Sequence, residues 1–131
     1  MFEDFKFSSK QIQRYYDSAI KDYKIALKYK EPDIIFIFSY NSLIKLAITV
    51  CAKNNLRVKS KKGHHIELIR RMAYFLKNQD IEIISNEMRQ KRNLDLYGGI
   101  AIITEKESKT YLDFLKKTIK EIDKYLGKLI I

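Results

Sequence analysis

Proline occurs once and glycine four times in 131 residues, too few for the many tight turns that an all-β protein needs between its strands. Cysteine also occurs once, at Cys51. A lone cysteine makes no intramolecular disulfide, and between Val50 and Ala52 it reads as a small buried hydrophobe of a reducing compartment rather than a catalytic thiol. Histidine is confined to His64 and His65. Neighbouring side chains on a helix diverge by about 100°, and no cysteine or further histidine is near, so no metal site and no cofactor is expected. Capping and surface solvation account for the pair. The opening stretch MFEDFKFSSK carries acidic side chains and no apolar run of the signal-peptide kind. The most hydrophobic window, Ile34 to Ala52, is interrupted by Asn41, Lys45 and several hydroxyl residues, which favours a buried bundle helix over a membrane span. A cytoplasmic protein is expected.

What the chain does have is 46 % hydrophobic and 12 % aromatic content, enough for one domain, residues 1–131, with a real core. Lys, Leu, Ile, Ala, Glu and Tyr dominate long uninterrupted stretches, and the class is therefore all-α. The formal charge is +10 and the isoelectric point near 9.6. Such a balance suits a polyanion partner through counterion release and steering. A solvated basic surface accounts for it equally well, so the location of the charges has to decide.

Ser8 and Gln11 fit a reciprocal capping pattern that starts a first helix. Ile12, Tyr15, Tyr16, Ala19, Ile20, Tyr23, Ala26 and Leu27 then recur at helical spacing, to about Tyr29. Pro32 suits the first turn of a second helix, roughly Asp33 to Lys53, apolar on most of its circumference and so the centre of the bundle. NNLRVKSKKGHH breaks the periodicity and reads as a loop, the densest basic segment. A third helix runs from about His64 to Lys77 with Ile66, Ile69, Met72, Ala73 and Leu76 buried. Asn78 to Asp80 form a turn, and a short fourth helix from about Ile81 ends at Gly98 or Gly99. Thr104 and Glu107 cap a fifth, with Tyr111, Leu112, Leu115, Ile119, Ile122, Tyr125 and Leu126 inward. Five helices with short connections predict an up-and-down bundle. A strip left exposed by the short fourth helix favours dimerisation.

The stretch MRQKRNLDLYGG, Met88 to Gly99, concentrates charge. Arg89, Lys91 and Arg92 place three positive charges within four residues, an arrangement easier to explain if an anion visits, although full solvation also suffices. Asn93 and Tyr97 project from one side of a helix, whereas Arg92 and Tyr97 diverge by roughly 140°. Taken alone, the stretch is a helix end with a packed tyrosine. Lys45, in the middle of the apolar second helix, either snorkels or faces a groove, which it could share with Arg92.

Taken together, FSYNSLIKLAITVCAKNNL, KSKKGHHIELIRRM and RQKRNLDLYGG occur in an order that resembles the HEPN domain, the higher eukaryote and prokaryote nucleotide-binding domain, from about Ser8 to Leu126. The resemblance implies a five-helix bundle that forms a homodimer and binds RNA or a nucleotide, with Arg89, Lys91, Arg92 and Lys45 as candidate binding residues. It also implies metal-independent ribonuclease activity, with Arg92 in the arginine position and Asn93 in the polar position. Tyr97 stands where the family has histidine. An ordinary tyrosine, with a pKa of about 10, is a poor proton acceptor at neutral pH. The resemblance further implies a toxin–antitoxin module with a small nucleotidyltransferase partner. The alternative is a non-catalytic accessory subunit that docks on such a nucleotidyltransferase.

Overall fold

A computed structural model describes residues 1–98 and 103–127, the side chains of 95–98 excepted. Five helices make up most of it: α1 (Ser9–Lys28), α2 (Pro32–Lys53), α3 (His64–Leu76), α4 (Gln79–Gly98) and α5 (Glu105–Tyr125). Two three-residue strands, β1 (Phe2–Asp4) and β2 (Leu56–Val58), pair antiparallel with Phe2 opposite Val58. The all-α helical bundle is observed. The loop expected at NNLRVKSKKGHH instead supplies β2, which joins the amino-terminal residues to the connection between α2 and α3.

Local chemistry sets the helix starts. The Ser8 hydroxyl accepts from the Gln11 amide N–H while the Gln11 side chain accepts from the Ser8 amide, and Thr104 and Glu107 do the same for α5. Each cap contributes about 1 kcal/mol. Pro32 occupies the first turn of α2, where its missing N–H removes no helical bond. Gly63 precedes α3 with φ +84°, a left-handed conformation that glycine alone adopts without strain. Of the two glycines expected to end α4, Gly98 is its last residue and Gly99 lies outside the described residues.

α2 packs against all four other helices. Tyr40, Leu43, Leu46, Ala47 and Val50 are fully buried along it, so its apolar circumference is used up on helix contacts. It is long and apolar enough to cross a membrane, and most of its residues are buried inside the bundle. Against α1 the approach is close, with Ala19 fully buried and the Ser42 hydroxyl donating to the Ala19 carbonyl at 2.8 Å. In α3 the buried face holds Leu68 in addition to Ile69, Met72 and Ala73, while Ile66 is half-exposed. Leu27, expected inward on α1, is 54 % exposed.

α4 is not short. It spans 20 residues, and Ile81, Ser85 and Met88 form its buried stripe. The exposed strip is its own outer face, where Ile83, Glu87, Gln90 and Leu94 follow one another at spacings of four and three.

Candidate phosphate-binding cleft

The inward stripe of α4 steps from Ile81 to Ser85 to Met88 at helical spacing, and the next position is Arg92. An arginine at a core-facing position has to reach something. Its guanidinium carbon lies 5.5 Å from the centre of the Tyr40 ring on α2. Its Nε is buried and has no hydrogen-bond acceptor among the described residues. A buried guanidinium donor left unmade is costly, and a carboxylate or phosphate is the group that fits it.

Arg92 faces a cleft of about 650 Å³ between the start of α3 and the second half of α4. Lys61 and Lys62 come from the loop before α3, His64 and His65 from its first turn, and Arg89, Arg92 and Asn93 from α4. Among the described residues no acidic side chain lines it. A cavity of about 740 Å³ lies at the other end of the α3–α4 pair, but Glu82 sits there among Arg70 and Lys77. The larger cavity therefore lacks the single-sign charge that focuses an anion.

The structure brings together Arg89, Arg92 and Asn93 and leaves out two other candidates. Lys91 is paired with Glu107 of α5 and lies 5.5 Å from the Tyr111 ring, because position 91 is turned about 100° from position 92. Lys45 is paired with Asp22 of α1, Nζ to Oδ2 at 2.7 Å, and does not line the cleft, so the groove shared with Arg92 is absent. Arg57, from the basic segment, is likewise spent on Glu3 across the small sheet, at 2.6 Å. Tyr97 lies on the last turn of α4, and its side chain is outside the described residues.

Lys45→Ala strips the cation from a carboxylate whose side chain is only 11 % exposed. Because Lys45 itself is partly solvated, the expected cost is about 1–2 kcal/mol rather than that of a deeply buried pair. Binding of an anion in the cleft should change by no more than about twofold, since the lysine does not line it. Thermal unfolding and a binding titration check both halves; a large affinity loss in a stably folded variant would restore Lys45 to the site.

The solvated cap expected of the histidines fits His64, whose contact is exposed, and not His65. His64 Nδ1 lies 2.8 Å from the Lys61 carbonyl, which also accepts from the His64 amide at 3.0 Å. The half-buried ring of His65 meets the buried Tyr40 hydroxyl, Nδ1 to Oη at 2.9 Å. Burial lowers the His65 pKa to about 4, with further lowering by His64, Arg92 and Arg89. Burial also pushes the Tyr40 hydroxyl up to about 12, against the opposing pull of Arg92 and Arg89. Burial dominates both shifts, and in each Arg92 and Arg89 add a lowering pull. His65 was hidden in the sequence because its partner lies 25 residues away on another helix, although the Gly-His-His opening of α3 and the adjoining lysines are visible there.

The depressed His65 value makes stability fall on acidification. The unfolded chain takes up the proton near the ordinary 6.5, whereas the folded chain resists until about 4. This contribution is complete above about pH 6.5 and is lost as the pH falls towards 4. Screening at a half-exposed ring reduces the effect to about 1–2 kcal/mol. Denaturant unfolding near neutral pH and near pH 4 should show that part of the slope vanish in His65→Gln; an unchanged slope would remove His65 as its source.

Comparisons of the chain with protein-family models, with curated proteins and with solved structures give no match.

Proposed function

We propose that this chain is a HEPN-type protein that binds RNA or a nucleotide through a phosphate group held in the cleft between α3 and α4. The observation that carries the reading is the buried, unpartnered Nε of Arg92 facing a cleft lined by Lys61, Lys62 and Arg89. Arginine offers a planar fork that matches phosphate oxygens, and the two lysines add charge without demanding one geometry. Asn93 supplies a neutral donor and acceptor beside them. A cytoplasmic homodimer belonging to a nucleotidyltransferase toxin–antitoxin module is part of this proposal.

The test is binding of a short fluorescein-labelled ribo-oligonucleotide of mixed sequence, followed by anisotropy as salt is raised. Four phosphate contacts on a single strand give a slope of log affinity against log salt of about −3. Absence of binding at low salt would refute the reading. The alternative, a non-catalytic accessory subunit that docks on a nucleotidyltransferase, draws on the outer face of α4, where Ile83 and Leu94 are more than half exposed. It requires a stable complex with that partner and no RNA binding by the chain alone.

A further inference from the structure

Every acidic side chain on α1 and α5 is already engaged inside the molecule. On α1, Asp17 accepts from Gln13 and Asp22 holds Lys45. On α5, Glu105, Glu107 and Asp113 pair with Lys109, Lys91 and Lys117, Glu121 accepts from Asn78, and Asp123 accepts from the Tyr16 hydroxyl of α1. The cations of the two helices are not matched in this way. Lys10, Arg14, Lys21, Lys24 and Lys28 of α1 are exposed and form no ion pair among the described residues. At helical spacing they fall within about 80° of arc, opposite the buried Ala19 and Ala26. Lys106, Lys116, Lys120 and Lys124 make a second exposed and unpaired row, equally narrow, on α5. Both helices pack on α2, and the bond from Tyr16 to Asp123 ties them to each other. Neither row contributes a residue to the cleft, so much of the +10 charge lies elsewhere.

We propose that the α1–α5 face docks on an anionic lipid bilayer, with the two basic rows over the headgroup phosphates and Leu27 at the acyl boundary. Like charges in a row repel one another, and a surface of the opposite sign relieves that repulsion. The composition of the face favours a bilayer over a nucleic acid. All of its unpaired cations except Arg14 are lysines, point charges that lack the fork with which arginine grips a single phosphate. No aromatic ring on which a base could stack lies within either row. At the carboxy-terminal end of α1, Leu27 and Tyr29 are about half exposed beside Lys24, Lys28 and Lys30. A leucine and an amphipathic ring set among lysines suit the boundary between headgroups and acyl chains, and a phosphodiester backbone offers that leucine nothing.

The test mixes the full chain with phosphatidylcholine vesicles made with and without phosphatidylglycerol and reads co-sedimentation. The parent should bind the anionic vesicles, leave them in high salt and stay off pure phosphatidylcholine. A lysine close to an anionic bilayer is worth about fivefold in affinity, so the triple variant Lys21→Gln, Lys24→Gln and Lys28→Gln should bind about 100-fold more weakly. The triple variant Lys116→Gln, Lys120→Gln and Lys124→Gln reads the α5 row in the same way. The chain has no tryptophan, so Leu27→Trp adds a single reporter whose emission should move to the blue on anionic vesicles and not on duplex RNA. Arg92→Ala should bind vesicles as the parent does, which keeps a failure here distinct from a failure of the cleft. A parent that does not bind the anionic vesicles, or triple variants that bind them as the parent does, would overturn the inference and leave the cleft untouched. Triple variants that lose duplex RNA and keep the vesicles would also overturn it, and would give the face to a nucleic acid.

Discussion

Arg92→Ala weakens RNA binding by about 30-fold or more and leaves the bundle folded. A guanidinium forked onto a phosphate makes two charge-assisted hydrogen bonds, and losing them costs about 2–3 kcal/mol, with each 1.4 kcal/mol worth a factor of ten. The fold loses little, because Arg92 Nε has no acceptor among the described residues. Its contact with the Tyr40 ring, at 5.5 Å, is worth about 0.5–1 kcal/mol. Arg92→Lys restores the charge without the fork and should recover only part of the affinity. Anisotropy titrations beside melting curves separate the effects, and an alanine variant that binds as the parent does would take Arg92 out of the site.

Tyr40→Ala is expected to cost about 3–5 kcal/mol, the range for removing a fully buried aromatic ring. In a chain of this length that is a fall in Tm of more than about 10 °C. The size follows from its position: Tyr40 is 0 % exposed on the central helix, supports Arg92 with its ring and holds His65 with its hydroxyl. Tyr40→Phe keeps the ring and removes only the hydroxyl, at about 1 kcal/mol. That variant should stay folded while the His65 tautomer changes, because the contact from Tyr40 Oη to His65 Nδ1 is lost, and the imidazole nitrogen shifts report this directly. A phenylalanine variant with an unchanged tautomer would show that the hydroxyl does not set it.

The parts of this fold written in local chemistry are legible from the chain. Ser8 with Gln11, and Thr104 with Glu107, are three residues apart, so both capping boxes can be read in sequence and both are made. The apolar circumference of α2 likewise announces its central place. Contacts between distant residues are not legible in that way. Strands of three residues carry too little alternation to be seen, and Arg57 finds Glu3 54 positions away. Lys45 meets Asp22 on α1, which no spacing rule encodes.

The cleft itself was half-readable. The spacing of Ile81, Ser85, Met88 and Arg92 puts the arginine on the inward face of α4, and the same geometry turns Lys91 towards Glu107. The basic loop was visible as a charge run, but its closure against α4 depends on how α3 and α4 pack. His64 and His65 gave no signal of their roles, because those roles are set by a backbone carbonyl and by a tyrosine on another helix.

The most direct measurement is to titrate the isotopically labelled chain with the mixed-sequence ribo-oligonucleotide and map the amide shifts along the backbone. The account predicts that the largest changes fall on Lys61 to Ile66 and on Arg89 to Asn93, the two stretches that meet at the cleft. Changes centred instead on Tyr74, Phe75 and Gln79, around the mixed-charge cavity at the other end of the α3–α4 pair, would contradict it.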